Sequence, residues 1–176
     1  ATGGGGAIYN ESGAAIVSQG TGESAGLVNS TFESNSTLIS GGAIYNAGEI
    51  KMSGNTLKGN YARVSGGAIF NTSGTTRTTT DAIQLLAENN KFEANYASDG
   101  GAVYNTTSFH SEGNTYTNNY ANSDIGKGGA IYNSMDKNSK GKFTSKGDTF
   151  TGNHAVDGGA LYLTGKNNII TGATFD

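Results

Sequence analysis

Two aspartates, Asp99 and Asp157, occupy the same place in the chain, each immediately before a Gly-Gly-Ala triplet, and Lys127 holds that place between them. Two carboxylates roughly 5 to 10 Å apart are what glycoside hydrolysis requires, and such a row could supply them. Elsewhere the same place is taken by Gly4, Ser40 and Ser65, which is the variability of a solvent-facing turn. Lyase chemistry would ask for a Lys or Arg base. Arg63 and Arg77 are the only arginines, one in a turn and one in an insertion loop, and Lys137, Lys140, Lys142 and Lys146 cluster in a stretch that reads as a solvated loop. His110 and His154 have no acidic companions in a motif, cysteine is absent, and Asp124, Asp136 and Asp148 do not form an EF-hand loop. With no nucleophile elbow, P-loop or metalloprotease motif either, the chain reads as non-catalytic, with no metal and no cofactor.

Aromatic residues are the other candidates. Tyr9, Tyr45, Phe70, Tyr104, Tyr132 and Tyr162 each stand four residues after the first Gly of a Gly-Gly-Ala triplet. If the aliphatic residue before each of them points inward, period-two alternation puts these rings outside as a ladder, a candidate binding surface. A column of Thr31, Thr56, Thr115, Thr149 and Thr174 is broken by Lys91, and only two of its rungs read Thr-x-Thr, too few for a flat ice-binding face.

These positions are held by a repeat. GGAIYN occurs at Gly5, Gly41 and Gly128, with GGAIF at Gly66, GGAVYN at Gly100 and GGALYL at Gly158. Between copies stands an aromatic-x-x-Asn phrase: Phe32 to Asn35, Phe92 to Asn95, Tyr116 to Asn119 and Phe150 to Asn153, with Leu57 to Asn60 as its loosest copy. The distance from this phrase to the next triplet is nearly constant, and length variation falls on the other side, as insertions over 11–26, 72–84 and 134–142. Apolar runs of three to five residues alternate with polar ones and are punctuated by Gly and Asn, which predicts short strands and tight bends. Like residues at like positions in units of this length predict a right-handed parallel β-helix of about six coils with three short strands each.

In that fold Ile8, Ile44, Ile69, Val103, Ile131 and Leu161 form one inward column, and Phe32, Leu57, Phe92, Tyr116, Phe150 and Phe175 another. Counting back seven places from the second column adds Ala25, Ile50, Leu85, Phe109, Phe143 and Asn168. The Gly pairs (Gly41 and Gly42, Gly66 and Gly67, Gly100 and Gly101, Gly128 and Gly129, Gly158 and Gly159) permit positive φ or close backbone approach at a corner. Asn46 and its equivalents, with Asn35, Asn60, Asn95, Asn119 and Asn153, can take left-handed bends and bond their amides to the coils above and below.

Composition agrees with a stacked rod. Only 34% of the 176 residues are hydrophobic, with 29 Gly and no Pro or Trp, yet 7 Phe and 9 Tyr argue against a disordered tract. A net charge of -3 with both signs scattered offers nucleic acid and anionic lipid no basic face, and no apolar run is long enough to insert into a bilayer.

Six copies of GGA[IVL] alternating with FxxN resemble the polymorphic outer membrane protein repeat of chlamydial autotransporters. The resemblance spans nearly all of the chain, although Leu163 replaces the terminal Asn of the last copy. It implies a surface adhesin: a single passenger segment, residues 1–176, cut at both ends within a longer array and displayed on the extracellular face of the outer membrane or secreted. Its implied partner is a host-cell protein or glycan receptor, engaged through loops and outer faces, with self-association through open β-helix ends as a further possibility. A polysaccharide-cleaving β-helix enzyme and a purely structural spacer are the alternatives.

Overall fold

A computed structural model describes residues 1–17, 26–73, 83–135 and 141–176. Every element in it is a β-strand, and every strand pairing is parallel. The chain winds as a parallel β-helix. One ladder stacks Ile8–Asn10, Ile44–Asn46, Ile69–Asn71, Val103–Asn105, Ile131–Asn133 and Leu161–Leu163 in chain order. A second stacks Glu49–Ser53, Leu85–Glu88, Phe109–Glu112, Phe143–Lys146 and Asn168–Thr171; a third stacks Thr31–Glu33, Thr56–Lys58, Lys91–Glu93, Thr115–Thr117, Thr149–Thr151 and Thr174–Phe175. To the three expected strands four successive coils add a two-residue fourth, seen at Ser36–Thr37, Tyr61–Ala62, Tyr96–Ala97 and Tyr120–Ala121, and the next coil continues it only as a bridge at His154.

The register follows the repeat. Ile8, Ile44, Ile69, Val103, Ile131 and Leu161 are partners in one row. Phe32, Leu57, Phe92, Tyr116, Phe150 and Phe175 are partners in another. Both rows, with Ile50, Leu85, Phe109 and Phe143 from the second ladder, fill one core, against whose ends Ile8 and Leu161 pack; Phe175, expected inward, is exposed because no described coil stacks beyond it. Each such side chain contributes ~1.5–3 kcal/mol when fully buried, which offsets the ordering of strands only three to five residues long.

One expected core position differs. Ile16, not Ala25, is the partner of Ile50, while Leu27 pairs with Met52. In the first coil the chain enters the second ladder at Ala15–Ile16 and rejoins it at Leu27–Val28, so counting back from Phe32 runs into the insertion instead of the strand. Ala25 itself lies outside the described residues, as do Arg77, Asp136, Lys137 and Lys140.

The two glycines of each pair do different work. The first has φ between 61° and 72° in all six copies, the left-handed region open to Gly at little cost. The second needs space: a Cβ on Gly42 would overlap the Gly67 carbonyl of the next coil and lie 2.7 Å from the Tyr61 backbone across the interior. The first and fourth ladders meet there at a wedge too thin for any side chain.

The asparagines were expected at left-handed bends, and the bend falls one residue earlier. Ser34, Gly59, Ala94, Asn118 and Gly152 carry the positive φ, and the Asn of FxxN follows it with its amide directed inward. This arrangement frees the amide for the ladders described below.

Candidate binding surface

Buried asparagines account for most of the polar repeat. Along the first ladder Asn10 donates to Asn46, Asn46 to Asn71, Asn71 to Asn105 and Asn105 to Asn133, at 2.6–2.7 Å. Where Leu163 interrupts the column, Asn168 accepts the bond from Asn133 at 2.8 Å, so the row is completed from a neighbouring strand. A second row runs Asn35, Asn60, Asn95, Asn119 and Asn153 at 2.9–3.0 Å, each donor also reaching a backbone carbonyl where a preceding coil supplies one. These residues are structural: their hydrogen-bonding capacity is spent inside the rod.

A third row was missed. Asn55, Asn90, Asn114 and Asp148 stand at one corner, linked at 2.9, 3.0 and 3.3 Å. The signal was present as a polar residue immediately before each position of the Thr column. Asp148 closes the row as a buried carboxylate that accepts from Ser145 Oγ at 2.6 Å and the Asn114 backbone N–H at 2.8 Å. Burial raises its pKa, partly countered by those hydrogen bonds. Beside it, the Tyr116 hydroxyl lies 2.8 Å from Ser111 Oγ, and burial pushes that phenol well up.

The outer faces carry what remains. Tyr9, Tyr45, Phe70, Tyr104, Tyr132 and Tyr162 stand in register along the outside of the first ladder. Neighbouring rings stack with centroids 4.7, 5.1 and 5.4 Å apart as far as Tyr104. Stacked rings cover one another's faces and offer solvent a rim of edges and hydroxyls. Burial is the main cause raising the pKa of Tyr45 and of Tyr104. A second outer ladder, Tyr61, Tyr96, Tyr120 and His154, continues along the fourth, short-stranded face with centroids 4.8, 6.3 and 5.1 Å apart. Its sequence signal is the aromatic or His that directly follows the Asn of FxxN; His154, read singly, belongs to this row.

The charged candidates are dispersed. Asp99 turns one carboxylate oxygen to the Lys127 backbone N–H at 3.0 Å, and the backbones of Lys127 and Asp157 form a β-bridge at the same corner. On the second face Glu112 takes Lys146 Nζ at 2.6 Å and His110 Nε2 at 3.1 Å, and the Lys146 hydrogen bond leads in lowering the Glu112 pKa. Among the described residues no group of three acidic, His or Cys side chains is placed to hold a metal, and no helix is long and apolar enough to cross a membrane.

The Chlamydia polymorphic membrane protein repeat matches residues 29–47 and 149–164. Each match begins at the aromatic-x-x-Asn strand, crosses the short fourth face and the Gly-Gly corner, and ends on the first ladder. The chain carries this membrane-protein repeat. No curated protein and no solved structure matches the chain. The polymorphic membrane protein repeat is therefore, in this chain, one β-helical corner whose glycines, core residues and amides all serve stacking.

Proposed function

We propose that this chain is a non-catalytic adhesive segment of an autotransporter passenger, displayed on the extracellular face of a bacterial outer membrane or released from it. The observation that carries this reading is the division of labour along the rod. Apart from the outer aromatic column, the repeated residues are consumed by core, corner and amide ladders, and variation between coils is concentrated at outward positions and in three insertions entering around the second ladder. Loops held on a rigid frame are where recognition concentrates. A host-cell protein or glycan is the partner of such a surface, and the matched polymorphic membrane protein repeat supports a bacterial surface setting. The carboxylate pair that would serve a hydrolase is engaged in corner geometry at Asp99, which favours binding over chemistry.

The test replaces residues 11–26, 72–84 and 134–142, singly and together, with connections as short as the one between Asn46 and Glu49. Circular dichroism checks that the rod persists, and attachment of the purified chains to epithelial cells is counted. Loss of attachment in at least one folded variant is the expected result. Equal attachment by all variants would remove the loops from the reading and leave the outer ladders, and failure of the wild-type chain to attach would refute it.

A further inference from the structure

Exposed large apolar side chains gather along one edge of the rod. Leu38, Ile39, Val64, Tyr120, Ile125 and Val156 all lie between the Asn of an aromatic-x-x-Asn phrase and the next Gly-Gly pair, on the fourth face and the corner it leads into. The segments concerned are 35–41, 60–66, 95–100, 119–128 and 153–158, one from each of five successive coils. Ile125 is 72% exposed and Val156 62%, with Leu38 at 54%. Backbone bonds stack the segments directly: Val64 N–H donates to Ile39 O at 2.9 Å, Asp99 N–H to Val64 O at 3.1 Å, Asn122 N–H to Ala97 O at 2.9 Å and Asp157 N–H to Gly126 O at 3.0 Å. The apolar row is interrupted at its middle coil, where Ser65 and Asp99 are bridge partners and the small Ser98 stands level with Val64. An exposed apolar edge of this kind marks a surface that meets another molecule.

Charge along this edge changes sign from one end to the other. Arg63 stands on the second of these coils, Asp124 on the fourth and Asp157 on the fifth, all exposed. Among the described residues none of the three forms an ion pair within the chain. The other charged groups nearby are engaged: Asp99 accepts from the Lys127 backbone N–H at 3.0 Å, and Lys127 Nζ lies over the Tyr162 ring, 5.2 Å from its centroid. The edge is thus positive on one side of Ser98 and negative on the other, with aliphatic residues on both sides.

We propose that this edge joins two copies of the chain side by side and antiparallel, about a twofold axis passing by Ser98. Coils repeat every ~4.8 Å, so a twofold at the third coil brings the second coil of one copy opposite the fourth of the other, and the first opposite the fifth. Val64 then meets Ile125 of the second copy, Leu38 and Ile39 meet Val156, and Arg63 meets Asp124 with Asp157 one coil away. Each contact occurs twice, as an isologous interface requires. Parallel pairing of the same edge would set Arg63 on Arg63 and Asp124 on Asp124, which like-charge repulsion opposes. The occupant is a second copy because the edge carries its own complement in reverse order. The pairing uses the side of the rod, not its coil ends, and does not depend on the adhesive reading.

Sedimentation velocity of the whole chain over a wide concentration range tests it, with circular dichroism as the check of folding. Wild type shows a concentration-dependent equilibrium between monomer and dimer. Ile125→Glu, Arg63→Asp and Asp124→Arg each weaken the dimer about ten-fold or more. The double variant Arg63→Asp/Asp124→Arg restores it, because each reversed charge meets the other across the axis. The chain has no cysteine, so introduced ones read the orientation. Ser98→Cys links two copies under mild oxidation, and Leu38→Cys does so only together with Val156→Cys. A wild-type chain that stays monomeric overturns the pairing. A dimer untouched by Ile125→Glu and by the single charge reversals overturns it too, since such a dimer joins elsewhere, as at the coil ends. Linkage by Leu38→Cys alone, or a double reversal that fails to restore the dimer, overturns the antiparallel arrangement. The charge reversals keep the experiment decisive if Ile125→Glu fails to fold.

Discussion

Asn95 sits at the middle of the second amide row, and its removal gives the sharpest test of what holds the coils in register. Its Nδ2 donates to Leu57 O at 2.8 Å and Asn119 Oδ1 at 3.0 Å, and its Oδ1 accepts from the Asn60 backbone N–H at 3.0 Å and Asn60 Nδ2 at 2.9 Å. In Asn95→Ala, Asn119 Oδ1 keeps a bond from the Asn95 backbone N–H and Asn60 Nδ2 keeps its bond to Phe32 O. The Asn60 N–H and the Leu57 carbonyl lose the side chain that served them, in a region with no access to water. The buried Asn60 N–H left unsatisfied costs about 1–3 kcal/mol and the lost bond to the Leu57 carbonyl, which keeps its place in the strand ladder, about 0.5–1.5 kcal/mol, so the substitution destabilises by about 2–5 kcal/mol. Asn153→Ala, at the half-buried end of the same row, costs less because water replaces part of what is lost. Urea unfolding followed by far-ultraviolet circular dichroism reads both. A lowered midpoint at unchanged slope reports lost stability, and a lowered slope reports coils that no longer melt together. Asn95→Ala within about 0.5 kcal/mol of wild type would refute the view that the amide row is a main fastening.

Three further outcomes follow from the corners and the buried carboxylate. Gly42→Ala fails to give soluble folded protein or loses several kcal/mol, about as much as a large core defect, because its Cβ meets backbone on two sides; Gly147→Ala, with open space and φ of 62°, costs only about 1 kcal/mol of backbone strain. Ala94→Gly raises the urea midpoint, since Ala94 is held at φ 52° where a Cβ costs about 1–2 kcal/mol, less the extra freedom Gly has when unfolded. Asp148 has a folded pKa raised by burial, so the folded state holds its proton more tightly than the unfolded chain does. Its stabilising effect is greatest below its ordinary pKa and is lost as pH rises through the raised folded value. Asp148→Asn is accordingly more stable than wild type at pH 7, with the gap in Tm closing as the pH is lowered toward 4, and thermal melts across that range check both points.

The pairing register was legible because it depends on the least variable distance in the chain, from the aromatic-x-x-Asn phrase to the next Gly-Gly-Ala. A strand whose side chains alternate cannot slip by one residue without exposing Ile44 or Leu57, so the columns follow once the phrase is recognised. Ile16 was not legible because the insertion of the first coil interrupts its strand, and a count across an insertion carries no register. The third amide row escaped notice since its members are spelled Asn, Asn, Asn and Asp in differing contexts, and only the fold shows that Asp148 plays the role of an asparagine. The outward placement of the first aromatic column follows from alternation with Ile44 and its equivalents. The turn of Tyr132, whose ring stands at 68° to Tyr104 and 88° to Tyr162, does not, because side-chain torsions answer to three-dimensional neighbours and leave no trace in spacing. For the same reason the second ladder, Tyr61 to His154, is visible in sequence only as an isolated aromatic or His after each Asn.

Adhesion requires that the outer surface of this stacked rod engage a cell. Fluorescent beads coated with the whole chain, added to epithelial cells over a range of coating densities with soluble chain as competitor, test it most directly. Saturable attachment that excess soluble chain abolishes and that heat-unfolded chain does not support is the expected result. Attachment no greater than that of uncoated beads, or attachment unaffected by soluble competitor, would contradict it.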